Sequence, residues 1–139
     1  FYYNSHYLWY NKSMRFIIYL LFFFSLILPH FSYSDSIVNI IVPKISKEFL
    51  VGESLFKKNC LACHGVHGSG IKNFGPPLVH KLYESSHHGD SSFVSAIRNG
   101  VRSHHWSFGD MAPVESISDD EILKVIGYIR FIQRANDIY

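Results

Sequence analysis

The chain has 139 residues, with 13 basic and 11 acidic side chains, two cysteines and a formal net charge of +2. That length supports one sizeable domain, and so even a charge balance argues against nucleic-acid binding. Aromatic residues are unevenly spread, with thirteen of the twenty-three ahead of Asp35, which sets the first third apart from the rest. Residues 1–13 add no recognisable element and read as an upstream extension, with Met14 as the true start. Residues 14–34 follow the secretory signal pattern: Met14-Arg15, a largely apolar stretch over 16–28, Pro29, then small residues at Ser32 and Ser34. Cleavage is expected after Ser34. The apolar stretch falls short of the roughly 20 residues that span a bilayer. Flanking aromatics can lengthen such a stretch, so an uncleaved membrane anchor is the alternative.

Cleavage would leave residues 35–139, a single small domain. Without Lys12 and Arg15 the eleven remaining bases match the eleven acids. Strong global steering toward a charged partner is therefore not expected, although Lys57, Lys58, Lys72 and Lys81 could form a local patch. The β-branched run in 35–45, closed by Pro43, reads as an extended arm. The remainder, 46–139, reads as three helices separated by long loops.

The first helix is expected over 47–59, with Ser46 as N-cap and Phe49, Gly52, Leu55 and Phe56 on one apolar stripe. A glycine inside such a stripe costs about 1 kcal/mol relative to alanine, and a close helix crossing would explain it. Glycines and prolines over 65–77 mark a long loop. A middle helix is expected over 92–99, capped by Asp90 or Ser91 and stopped by Gly100. The last helix, 122–134, opens on a capping box formed by Ser118 and Glu121. Its apolar face is Ile122, Val125, Ile126, Ile129 and Phe131 or Ile132, with Tyr128 placed to lie over Gly52.

The most specific feature is Cys60-Leu61-Ala62-Cys63-His64. Two thiols and an imidazole at this spacing are the attachment signature of a c-type haem. A redox dithiol expects a βαβ context that the pattern lacks, and a zinc site needs a second, regularly spaced ligand pair. Six further histidines follow, His67, His80, His87, His88, His104 and His105, but none form an H-x3-5-H pair. A loop as long as 65–77 in so small a domain normally wraps around something, and a haem supplies the missing apolar surface.

A helix ending in CxxCH-Gly, a loop reaching Gly75-Pro76-Pro77-Leu78, a middle helix, Met111-Ala112-Pro113 and a final helix with a central aromatic together resemble a class I cytochrome c. The resemblance spans about 49–133 and implies an all-α fold, three main helices and long loops wrapped around one covalently attached haem c. It implies covalent attachment at Cys60 and Cys63 and axial iron ligands at His64 and Met111. Met111 is the only methionine after the leader, and its Met-x-Pro form departs mildly from the commoner Met-Pro. It also implies that the Pro76 carbonyl accepts from His64 Nδ1, that Leu78 and Phe74 press on the haem, and that Trp106 and Phe108 line the distal side. In this reading Trp106 is a donor to a propionate.

The function implied is outer-sphere transfer of single electrons by a periplasmic carrier, not catalysis. Redox partners of the resembling family include a quinol-oxidising complex, a terminal oxidase or a periplasmic dehydrogenase. Nucleic acid is not among the expected partners, and a membrane is one only with an uncleaved leader. A histidine such as His104 or His105 is the rival sixth ligand. With an open or His-ligated site the chain would instead be a peroxidase or ligand sensor. A third reading is a fixed cytochrome subunit of a dehydrogenase, docked through the 35–45 arm.

Overall fold

A computed structural model describes residues 14–23 and 35–139. The chain divides into two units, Phe1–Tyr33 and Ser34–Tyr139. In the first, residues 14–23 are helical and exposed. The 1–13 extension and the expected cleavage point at Ser34 lie outside the described residues. Among the described residues no helix is long and apolar enough to cross a membrane.

The second unit is helical, and the described residues form no strand, only the isolated bridges Ile71–Gly75 and Val101–Met111. Its helices are α1 (Leu50–Asn59), α2 (Leu61–His64), α3 (Asp90–Asn99) and α4 (Asp119–Ala135). The expected first helix is thus split. Residues Lys47–Phe49 make a 3-10 turn, and Ser46 sits at the cap position without a side-chain hydrogen bond. At its other end the helix does not stop at Asn59. Cys60 N–H still donates to Phe56 O at 2.8 Å, and after a kink at Cys60 one more helical turn runs to His64.

Helices α1 and α4 cross at Gly52. A Cβ there would lie 2.2 Å from Lys124 O and 2.9 Å from Tyr128 Cβ, so only glycine permits this approach. The buried face of α4 carries Ile122, Val125, Ile126, Ile129 and Ile132, with Phe131 stacked on Phe49 at 4.4 Å. Ser118 and Glu121 close the capping box in both directions. Phe56, Phe93, Ile97 and Ile117 complete the core.

Helix α3 begins earlier than the pattern suggests, with Gly89 at its cap and Asp90 as its first residue. Asp90 does not cap because its carboxylate accepts from Arg130 Nε at 2.8 Å, and an acid in the first turn is favourable in any case. Gly100, at φ 74°, ends the helix.

The 35–45 arm is extended and lies along its own domain. The N–H groups of Ile37 and Val38 both donate to Ser69 O at 3.1 Å. The side-chain amide of Asn136 receives Ile41 N–H at 2.8 Å and donates to Ile41 O at 2.9 Å, as a neighbouring strand would. Ile40 and Ile45 pack on the core.

Candidate haem-attachment site

The turn α2 organises Cys60, Cys63 and His64. Residues at i, i+3 and i+4 of a helix project from one face, so the signature's spacing brings two thiols and an imidazole together there. Cys63 is exposed, Cys60 is half-buried and His64 is buried. Burial, followed by the neighbouring Cys63, pushes the Cys60 thiol up to about 11.

His64 is held by its ring. Its Nδ1 lies 2.9 Å from Pro76 O and donates to it, which leaves Nε2 as the nitrogen with a free lone pair. Burial lowers the His64 pKa and the Pro76 carbonyl partly opposes this. The imidazole is therefore neutral near pH 7, the form that binds a metal.

The loop after α2 is tied back to the motif by backbone contacts. Gly70 N–H donates to His64 O at 2.7 Å, and Leu78 N–H donates to Gly68 O at 2.8 Å. A Cβ on Gly75 would stand 2.0 Å from Cys63 O, so the loop backbone lies directly against the thiol-bearing turn. Of the two side chains expected to press on the haem, Leu78 is buried in the protein core, whereas Phe74 is 59% exposed. Phe74 sits at the tip of the tight turn closed by the Ile71–Gly75 bridge, with Asn73 at φ 61°, and this turns its ring outward from the chain.

Met111 is fixed by its backbone to the end of α3. Met111 and Val101 exchange two hydrogen bonds of 2.9 Å, and a Cβ on Gly100 would lie 2.4 Å from Met111 O. Asp110 Oδ1 accepts from Ser103 N at 2.8 Å, and Ser103 Oγ donates to Trp106 O, so residues 101–111 form a closed loop. Within it Trp106 and Phe108 stack at 5.5 Å. Trp106 Nε1 is a buried donor with no hydrogen-bond partner. It approaches the Tyr83 hydroxyl closely enough to oppose the upward effect of burial on that phenol, but not with hydrogen-bond geometry, so the N–H stays unpaired.

Three groups around the site were not legible in sequence. Arg130 is 7% exposed and donates to Asp90, to Tyr83 O at 2.7 Å, to Gln133 Oε1 at 2.6 Å and to His88 O. Its guanidinium also lies 4.7 Å from the Phe93 ring centroid. Gln133 in turn donates to Leu78 O at 2.7 Å, so α4 holds the loop on both sides of His80. Tyr128 OH bonds His67 Nδ1 at 2.6 Å, which fastens the loop after His64 to α4. Finally, His104 and His105 join His87 and His88 in one cluster. His105 is held below histidine's ordinary value by desolvation and then by the adjoining imidazoles.

The family model described as cytochrome c matches residues 50–133. No curated protein and no solved structure matches the chain.

Proposed function

The chain belongs to the cytochrome c family, and on that premise we propose that it is a periplasmic carrier of single electrons whose haem iron is held between His64 and Met111. Covalent haem c and haem-based electron transfer come with membership of the family. The observation that carries the finer reading is the hydrogen bond from His64 Nδ1 to Pro76 O, beside the two free thiols of one helical turn. A ring so fixed offers one nitrogen, in one direction, with raised basicity.

The residues present fit the group. Cys60 and Cys63 would hold it through thioethers, and His64 and Met111 would take the two axial positions. The unpaired buried N–H of Trp106 suits a propionate oxygen. When bound, the haem supplies a one-electron iron couple whose potential depends on its axial ligands and surroundings. The chain's own residues orient and shield it. Pro76 retains the Nδ1 proton, Leu78 excludes water beside the motif, and the Val101–Met111 bridge keeps the methionine loop in register. Fixed ligands favour transfer without rearrangement, which suits a carrier better than a peroxidase or sensor.

The arm favours a free carrier over a fixed subunit, since its backbone groups at Ile37, Val38 and Ile41 are already bound within the domain. The leader pattern and the covalent haem support the periplasm, with a quinol-oxidising complex, a terminal oxidase or a periplasmic dehydrogenase as partners. Transient docking at an exposed haem edge near Cys60 and Cys63 would suffice.

Visible spectra of the purified protein in both oxidation states test the ligand pair. The ferric protein should be low-spin with a weak long-wavelength charge-transfer band from sulfur ligation, and Met111→Ala should abolish that band. A high-spin wild type would refute the carrier reading. A low-spin wild type without the band, converted to high spin by His104→Ala or His105→Ala, would assign the sixth position to histidine. Cell fractionation checks the compartment, with recovery in the cytosol counting against it.

A further inference from the structure

Two histidine pairs far apart in sequence meet at the surface beside Trp106. His87 and His88 lie in the turn before α3, and their N–H groups donate to Glu84 O at 3.1 and 2.8 Å. His104 and His105 lie in the closed 101–111 loop. Ring centroids are 4.6 Å apart for His87 and His88, 5.3 Å for His87 and His105, and 5.1 Å for His88 and His105. The ligating atoms of these three all lie within 4.8 Å of one another. His104 adjoins them, its ring 4.2 Å from that of His105.

From this juxtaposition we infer that His87, His88 and His105 form a surface site for a divalent late transition-metal ion, of the Zn2+ or Cu2+ class. The inference uses neither His64 nor Met111, and it rests on the proposed ligand pair only in that His105 must not be bound to the iron.

Three imidazoles and no carboxylate make a nitrogen site, which suits zinc, copper or nickel and not the oxygen-seeking calcium or magnesium. Metal–nitrogen bonds of about 2.0–2.1 Å place tetrahedral ligand atoms about 3.3 Å apart. The remaining closure is a matter of rotamers for His87 and His105, both exposed. His88 is the fixed member. Its Nδ1 donates to Leu82 O at 2.6 Å, leaving Nε2 as the lone-pair nitrogen, and its own carbonyl accepts from buried Arg130. This is the arrangement by which a carbonyl orients a ligating imidazole. His104, with Nδ1 2.9 Å from Arg102 O, lies outside the group of three, so a fourth position falls to water. An open concavity lined by His80, Lys81, Glu84 and His87 reaches the cluster from solvent.

Crowding supplies the second argument. Four imidazoles from two separate loops are gathered on one patch of surface, with ring centroids 4.2–6.0 Å apart. A surface that gathered histidines only for solubility would gain by spreading them apart.

The test is calorimetric titration of the haem-loaded, metal-stripped protein with Zn2+, then with Cu2+. The expected result is one saturable equivalent at micromolar affinity or tighter, with Cu2+ binding more strongly than Zn2+. His87→Ala and His105→Ala come from different loops and are solvent-exposed, so each should weaken binding about tenfold or more without loss of fold, and the double variant should abolish it. His67→Gln, outside the cluster, should bind as the wild type does. The haem spectrum, followed in the same titration, should not change, which separates this site from the iron ligands. Absence of one-to-one binding by the wild type, or binding that survives the double variant, would overturn the inference.

Discussion

Replacing Gly52 by alanine places a methyl group where α1 meets α4. Ordinary contact begins at 3.4 Å and the new Cβ would stand 2.2 Å from Lys124 O, so the helices must part locally by about 1.2 Å. Neither Lys124 O nor Tyr128 Cβ can swing aside, since the first is helix backbone and the second is attached directly to it. Overpacking a close contact costs about 1–3 kcal/mol, and the rigidity of both neighbours puts this site at the upper end. Alanine's helix propensity returns about 1 kcal/mol. The expected net loss is about 2 kcal/mol, or about 10 °C in melting temperature for a domain of this size. Thermal and urea unfolding of the haem-loaded protein, followed by far-ultraviolet circular dichroism, would measure it. Ser54→Ala, on the exposed side of the same helix, gains propensity without a clash and should be neutral or slightly stabilising. If Gly52→Ala were as stable as the wild type, the glycine would not be required by the crossing and the packing argument would fail.

Five further outcomes follow from the buried polar groups. Arg130→Met should cost about 3 kcal/mol in urea unfolding, because it strands the His88 carbonyl and the Gln133 amide oxygen and leaves Tyr83 O with only the 3.2 Å bond from Gln133 Nε2. Asp90→Asn should cost less than about 1 kcal/mol, since that carboxylate is 64% exposed; equal losses would mean that the ion pair, not the backbone bonds, is the stabilising part. Burial, before the opposed effects of Glu53 and Lys57, holds the His67 pKa below 6.5 in the folded chain. The unfolded chain therefore binds more protons, so stability should be full above pH 6.5 and fall below it, with a shallower fall in His67→Gln. Burial and then Glu53 push the Tyr128 phenol up to about 12 from 10.0, so that contribution is present below pH 10 and lost as pH rises toward 12. Tyr128→Phe should flatten the alkaline loss, and an unchanged profile would count against the assignment. Trp106→Phe removes a buried donor that has no protein acceptor. It should shift the reduction potential of the haem-loaded protein. An unchanged potential would remove the propionate contact.

What could be read from sequence was local. The capping box of α4 and its apolar face depend on residues within a few positions of one another, where helix geometry alone decides, and Gly52 announced its distant partner because a glycine inside an apolar helical stripe implies a close crossing. The cysteine and histidine spacing is equally local. Arg130 escaped because a charged side chain reads as solvent-facing, and its acceptors are carbonyls of a loop more than forty residues away. The Tyr128–His67 bond joins positions 61 apart. The histidine cluster joins two loops whose approach depends on the Val101–Met111 bridge and the Arg130 network. Asp90 was misplaced as a cap because its partner, Arg130, is distant in sequence.

These long-range bonds also determine how the two expected iron ligands are carried. His64 belongs to the turn that continues α1, and α1 is seated on α4 at Gly52. Met111 belongs to a loop hung from the end of α3, through Val101, Gly100 and the bond from Val114 N–H to Ile97 O. The distance between the ligands therefore depends on how α3 sits on α4. Arg130 joins those two helices at the start of α3, with its guanidinium bonded to Asp90 and lying over Phe93, and Arg98 joins them at the other end through Asp119. A lesion at Arg130 should consequently loosen the Met111 side while leaving the His64–Pro76 bond intact. Weakened sulfur ligation in Arg130→Met, with covalent haem retained, is the signature of that coupling.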